Sequence, residues 1–127
     1  MDNQLDVSVS IIIQYPTHTK QGQNVTRHLN PIPTPKLQHE FKHAHHFGIT
    51  GNWNKTNAAL FEEAIRKHVQ EAPIQITGTY RGRIPVTHYL DRGTNLWVAV
   101  SPSGDLVCCW ELAEDQVNFL LTKGNVQ

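Results

Sequence analysis

The sequence predicts an α+β domain in which two helices pack on a four-stranded antiparallel sheet and a third helix closes the carboxyl end. Three observations carry this. Apolar residues recur at helical spacing in two segments between Thr34 and Gln70. From Ile74 onward the pattern changes to short runs rich in β-branched and aromatic residues. The breaks between those runs are short and built from Gly, Asp, Pro and Ser, so consecutive strands must run antiparallel.

The elements follow in order. An alternating apolar stretch around Val7 to Tyr15 and a polar run from Thr17 to Asn30 lead into Pro31-Ile32-Pro33-Thr34-Pro35. Pro and polar residues at this density mark a linker or domain edge, so residues 1–30 read as a lead-in or linker, a candidate part of an entry region, and 31–127 as the compact unit. The first helix is expected with Thr34 as N-cap, Pro35 at the first helical position, Leu37, Phe41 and Ala44 on the buried stripe, and Gly48 as the stop. Its opposite face carries His39, His43 and His46. The second is predicted from Thr56 to about Gln70, where Leu60, Phe61, Ala64, Ile65, His68 and Val69 repeat before Pro73. Strands are expected at Ile76 to Arg81, Val86 to Leu90, Leu96 to Ser101 and Leu106 to Glu111. A last helix, roughly Ala113 to Thr122, buries Val117, Leu120 and Leu121 before Gly124.

A length of 127 residues supports one domain with one site. Formal net charge is zero with the 8 His counted neutral, which excludes a global pull toward a polyanion and makes any nucleic-acid surface local. No apolar run is long enough to cross a bilayer, and Val7 to Ile13 is too short and lacks the basic start of a signal peptide, so the chain is expected to be soluble. Cys108 and Cys109 are adjacent and point to opposite faces of a strand, which argues against a disulfide framework and fits a reducing compartment.

One pattern suggests metal chemistry. His39-Glu40-Phe41-Lys42-His43 matches H-E-x-x-H, in which two His one turn apart bind zinc and the Glu acts as base in a metallopeptidase. A third ligand is required, and nothing in the spacing singles out Glu62, Glu63 or His68. The longer form of the motif wants Gly where His46 stands.

A second reading starts from resemblance. Leu37-Gln38-His39-Glu40-Phe41-Lys42-His43-Ala44, followed by Phe47-Gly48-Ile49, resembles the catalytic helix of colicin D-type toxin domains, which occur at the carboxyl ends of large secreted adhesins used in contact-dependent inhibition. Further matches run in the same order: Gly51-Asn52, Asn57 and Phe61, Gly78-Thr79-Tyr80-Arg81-Gly82, Val86-Thr87-His88-Tyr89, Trp110-Glu111-Leu112 and Leu121-Thr122-Lys123-Gly124. They cover about Pro31 to the end, and ordered motifs are more specific together than any one pattern.

The resemblance implies a ribonuclease-toxin fold of the barnase, EndoU, colicin and RelE type. It also implies a tRNA nuclease that cuts in or near the anticodon loop with no metal or other cofactor. The family's Lys-His pair falls on Lys42 and His43, its strand Trp on Trp110, and its hydroxyl residue two before that Trp on Cys108. Glu40 stands where the family often carries Lys. Expected partners are a tRNA substrate and a cognate immunity protein, acidic where it covers the groove. The expected setting is a secreted or cell-surface effector delivered into the target-cell cytoplasm.

The residue types suit that chemistry. Metal-free RNA cleavage needs a base for the 2′-hydroxyl proton, an acid for the leaving oxygen and cations near the phosphorane. His43 titrates near neutrality and serves as base, while Lys42 stabilises the developing charge. Cys108 and Trp110 share a strand face that offers a phosphate contact and a stacking surface, with Arg81, Thr79 and His88 as substrate-binding candidates on neighbouring strands. Plainer readings stand beside these: a solvated His43, Trp110 and Cys108 as core, and His43, His45 and His46 as an adventitious metal patch. Two alternatives stay open, the zinc peptidase and a catalytically inactive RNA-binding relative.

Overall fold

The computed structural model describes residues 27–127 together with the backbone of Ser10–Ile13. The rest of the stretch from Val7 to Tyr15, and the polar run before Arg27, lie outside the described residues.

The predicted meander is present and runs β2 (Ile74–Tyr80), β3 (Ile84–Asp91), β4 (Leu96–Val100) and β5 (Leu106–Glu111), each strand antiparallel to the next. Two further strands extend it to a six-stranded sheet. β1 (Ser10–Ile13) pairs antiparallel with Ile74 to Thr77, and β6 (Asn125–Val126) pairs parallel with Thr79 and Tyr80, so they divide one edge of β2 between them. Gly78 sits at the changeover. A Cβ there would lie 2.0 Å from the Gly124 carbonyl oxygen, which accepts the Thr79 N–H at 2.8 Å, so only glycine admits the chain end this closely.

The sheet carries a core on each face because successive strand residues alternate. On one face Tyr89, Val98, Val100 and Cys109 meet Leu37, Ala44, Phe61, Ile65 and Val69 from the three helical segments that precede the meander. On the other, Leu90, Trp97, Ala99 and Cys108 meet Val117, Leu120 and Val126 from the carboxyl end. The adjacent cysteines thus enter different cores, and both are free thiols. Phe61 and Ile65 are completely buried, and each contributes roughly 1.5–3 kcal/mol of burial free energy.

α2 (Lys55–Glu71) starts one residue before the expected Thr56 because Asn54 caps it, its Oδ1 accepting the Asn57 N–H at 2.8 Å. Leu60, expected on its buried stripe, is 49% exposed. The carboxyl end of α2 is closed by Arg27, whose Nη1 donates to the carbonyls of Val69 (2.9 Å) and Ala72 (2.8 Å). Arg66 likewise donates to the carbonyls of Leu29 (2.7 Å) and Asn30 (3.0 Å). Residues 27–30, which composition assigns to the lead-in, are therefore hydrogen-bonded onto the domain. The third helix, α3 (Glu114–Lys123), lies one residue later than expected and ends at Gly124 in the left-handed conformation, φ +70°.

The first helix departs most from expectation. α1 spans only Thr34–Glu40, with Pro33 at the cap position and no side-chain cap, so Thr34 is the first helical residue rather than the N-cap. From Phe41 to Phe47 the chain tightens into a 3₁₀ helix, which Gly48 ends with φ +86°. Phe41 is wedged between Trp53 (ring centroids 5.3 Å) and Phe61 (5.7 Å), which pins the changeover.

Candidate active site

The 3₁₀ helix lies against β5, the end strand of the meander, and covers an edge that would otherwise expose unpaired backbone. His43 reaches Trp110 of β5, with ring centroids 5.5 Å apart and planes tilted by 40°. Trp110 is half-buried and in turn meets Trp97 edge-on at 4.7 Å and Tyr80 of β2 at 6.3 Å. His43, Trp110 and Tyr80 thus come from three distant stretches of sequence and form one wall. Arg81 places its guanidinium 5.2 Å from the centre of the Tyr80 ring and is exposed.

Arg81 is held by the turn it occupies. Its φ is +58° and that of Gly82 is +75°, two successive positive values as a type I′ turn requires, with the Arg83 N–H donating to Tyr80 O at 3.3 Å. A non-glycine residue pays for the left-handed conformation, and β6 holds it there. Arg81 N–H donates to Val126 O at 2.7 Å, while Asn125 Oδ1 accepts from Thr79 Oγ1 (3.0 Å) and from Gly82 N–H (2.7 Å). Thr79 therefore serves the hairpin: its hydroxyl is committed to Asn125.

Beneath the wall lies a buried acid. Glu40 is 3% exposed and pairs with Lys36 one turn earlier, Nζ to Oε2 3.2 Å. A carboxylate at that depth needs such a partner. Lys36, Glu40 and His43 follow an i, i+4, i+7 stripe toward β5, and Lys36 and Glu40 both act electrostatically on Cys108. Cys108 is 5% exposed, and burial pushes its thiol up to about 12, partly offset by a hydrogen bond with Tyr80. It stays protonated and lies under the wall instead of in it. The Tyr80 phenol is also shifted upward by burial and by Cys108, so it keeps its proton.

Burial lowers the pKa of His43 from its ordinary value; Glu40 opposes this, and Lys42, His46 and His45 reinforce it. His43 is therefore neutral and able to accept a proton near neutral pH. Lys42, adjacent in sequence, is exposed. His46 is anchored to β5, its Nδ1 accepting the Glu111 backbone N–H at 3.2 Å.

The structure brings together His43, Trp110, Cys108 and, through Tyr80, Arg81, with Lys42 next to His43 along the chain. His88 does not join them. It is completely buried in the core under α3, its Nδ1 accepting from Trp97 Nε1 (2.9 Å) and its Nε2 donating to Gly124 O (3.1 Å). Both nitrogens are used, and no substrate reaches them. Tyr80 and Lys36 are not among the sequence candidates, and His46 stands there only on the histidine face and in the metal patch. Tyr80 stood inside the quoted Gly78-to-Gly82 match, and Lys36 is one turn before Glu40, the only sequence signals available for either. The zinc arrangement also fails on geometry: Glu40 is buried and paired with Lys36, and among the described residues no group of three His, Cys, Asp or Glu is placed to hold a metal ion.

The chain matches none of the curated proteins it was compared with. Among solved structures it is similar to a ribonuclease from Escherichia coli complexed with its inhibitor protein, at 26% identity and a TM-score of 0.62 over 71% of this chain and 99% of that one. The colicin D family matches residues 36–120, which span the stripe from Lys36 through His43 to Trp110 and most of α3. With two-thirds of its length in that match, and the α+β fold of a ribonuclease toxin around it, the chain belongs to the colicin D family.

Proposed function

We propose that this domain is a ribonuclease toxin, a metal-independent endoribonuclease that cuts tRNA in or near the anticodon loop and leaves 2′,3′-cyclic phosphate and 5′-hydroxyl ends. The observation that carries it is the placement of a neutral, half-exposed His43 against the half-buried Trp110, with exposed Lys42 beside it. His43 removes the 2′-hydroxyl proton, the 2′ oxygen attacks phosphorus, and the bond to the 5′ oxygen breaks as that oxygen takes a proton from solvent to become the 5′-hydroxyl. Lys42 and Arg81 supply positive charge for the phosphorane, and the half-buried Trp110 ring stacks an unpaired base. Cys108 acts from below by holding Tyr80, a neutral phenol that takes the place of a hydroxyl donor at this end of the sheet. The family membership and the ribonuclease neighbour, itself bound to an inhibitor, support this reading and an immunity protein as partner. They equally fit a secreted effector that works in the cytoplasm of a target cell.

The test is incubation with total tRNA in excess chelator, followed by mapping of new ends. Cleavage by the intact domain that disappears in His43→Ala is the expected result. No cut by the intact, folded domain overturns the proposal.

A further inference from the structure

His46 lies outside the family's Lys-His pair, yet the structure builds it into the same wall. In a 3₁₀ helix residues three apart eclipse, with a rise of roughly 6 Å over the turn. The rings of His43 and His46 accordingly stack at 5.8 Å with planes 18° apart. An α-helix would have rotated His46 away from His43 by about one-sixth of a turn. The tautomer of His46 is set by β5: because Nδ1 accepts the Glu111 N–H, the neutral ring carries its proton on Nε2.

The surroundings also keep that ring neutral. Protonating Nδ1 would set one N–H against another and lose the hydrogen bond. On its own helix His46 faces His43 at 5.8 Å and His45 at 4.2 Å, whose positive forms would repel it, and from β5 it faces the Glu111 carboxylate, which acts the other way. Burial is the largest influence, and it lowers the pKa.

We propose that His46 is a second working imidazole of this site, whose Nε2–H donates to a phosphate oxygen of RNA lying beside His43. Because the Nε2–H is present in the neutral tautomer that β5 selects, His46 offers a donor while His43, neutral beside it, accepts the 2′-hydroxyl proton. This rests on the ribonuclease reading above.

Two measurements test it. Nitrogen-15 NMR of the intact domain without RNA should show the neutral His46 ring as the Nε2–H tautomer at about pH 8, above the range in which an ordinary histidine titrates. Cleavage kinetics then compare His46→Gln, which keeps an N–H donor, with His46→Phe, which keeps ring packing. The Phe variant should lose on the order of 100-fold in kcat with KM nearly unchanged, and Gln should recover most of it, the size expected for one preorganised donor. An Nδ1–H tautomer, or a Phe variant as active as Gln, overturns the proposal. An intact domain that cuts no RNA overturns the ribonuclease reading instead, a failure kept apart because the tautomer is read without substrate.

Discussion

His43 and His88 stand at two regions of one sheet and meet opposite fates. His43 lies on the rim beyond β5, half-exposed, its ring against Trp110 and its pKa lowered by burial but still steered by Glu40, Lys42, His45 and His46. His88 lies in the middle of the sheet under α3, fully buried, with both nitrogens taken by Trp97 and Gly124 and its pKa held at about 4. The residue type is the same. Whether an imidazole works or holds is decided by how many of its hydrogen bonds the fold has already used.

The largest expected effect comes from swapping the loss between the two regions. His43→Ala should reduce tRNA cleavage by about 1000-fold, within the range for a general base, and leave the thermal midpoint nearly unchanged. His88→Ala should do the reverse, costing about 3 kcal/mol in urea denaturation because it opens a cavity and strands the Trp97 N–H and the Gly124 carbonyl. A cleavage defect of equal size in folded His88→Ala would break the comparison.

Stability against pH sharpens it. His88 has a folded pKa of about 4 against an ordinary 6.5, so the unfolded chain binds its proton first as pH falls. Its contribution is complete above 6.5 and is lost as pH drops toward about 4, a total of about 3 kcal/mol. Denaturant midpoints at successive pH values should show this loss in the wild type, and replacing His88 with Gln should flatten it.

The smallest effect concerns the charges around His43. Glu40 raises its pKa and Lys42 lowers it, so Glu40→Gln should move the acid limb of kcat/KM to lower pH and Lys42→Ala to higher pH. Shifts of about half a pH unit are expected for neighbours in a partly solvated site. Limbs that move together, or in the opposite sense, would show that another group sets the profile.

Much of the domain was legible in the sequence. β5 fell where Leu106 to Glu111 predicted it, and the split of Cys108 from Cys109 followed from strand alternation. Lys42, His43 and Trp110 came from the ordered family motifs. β6 was not legible, because two residues after a helix carry no periodicity and gain strand geometry only by pairing with Thr79 and Tyr80. His88 was misplaced for a related reason: alternation says that a residue faces a given side of the sheet, and says nothing of what covers that side.

Local pattern thus determined the element types, the α+β class and the family, because helical and strand periods, turn residues and motif order are written along the chain. The tertiary structure decided which histidine lies on the open rim and which is sealed in the core, that Glu40 is a buried partner of Lys36, and that Tyr80 from β2 joins Trp110 from β5. Those outcomes depend on burial and on contacts between segments far apart in sequence. The tightening of the first helix at Phe41 belongs with them: packing against Trp53 and Phe61 sets the turn that brings His46 over His43.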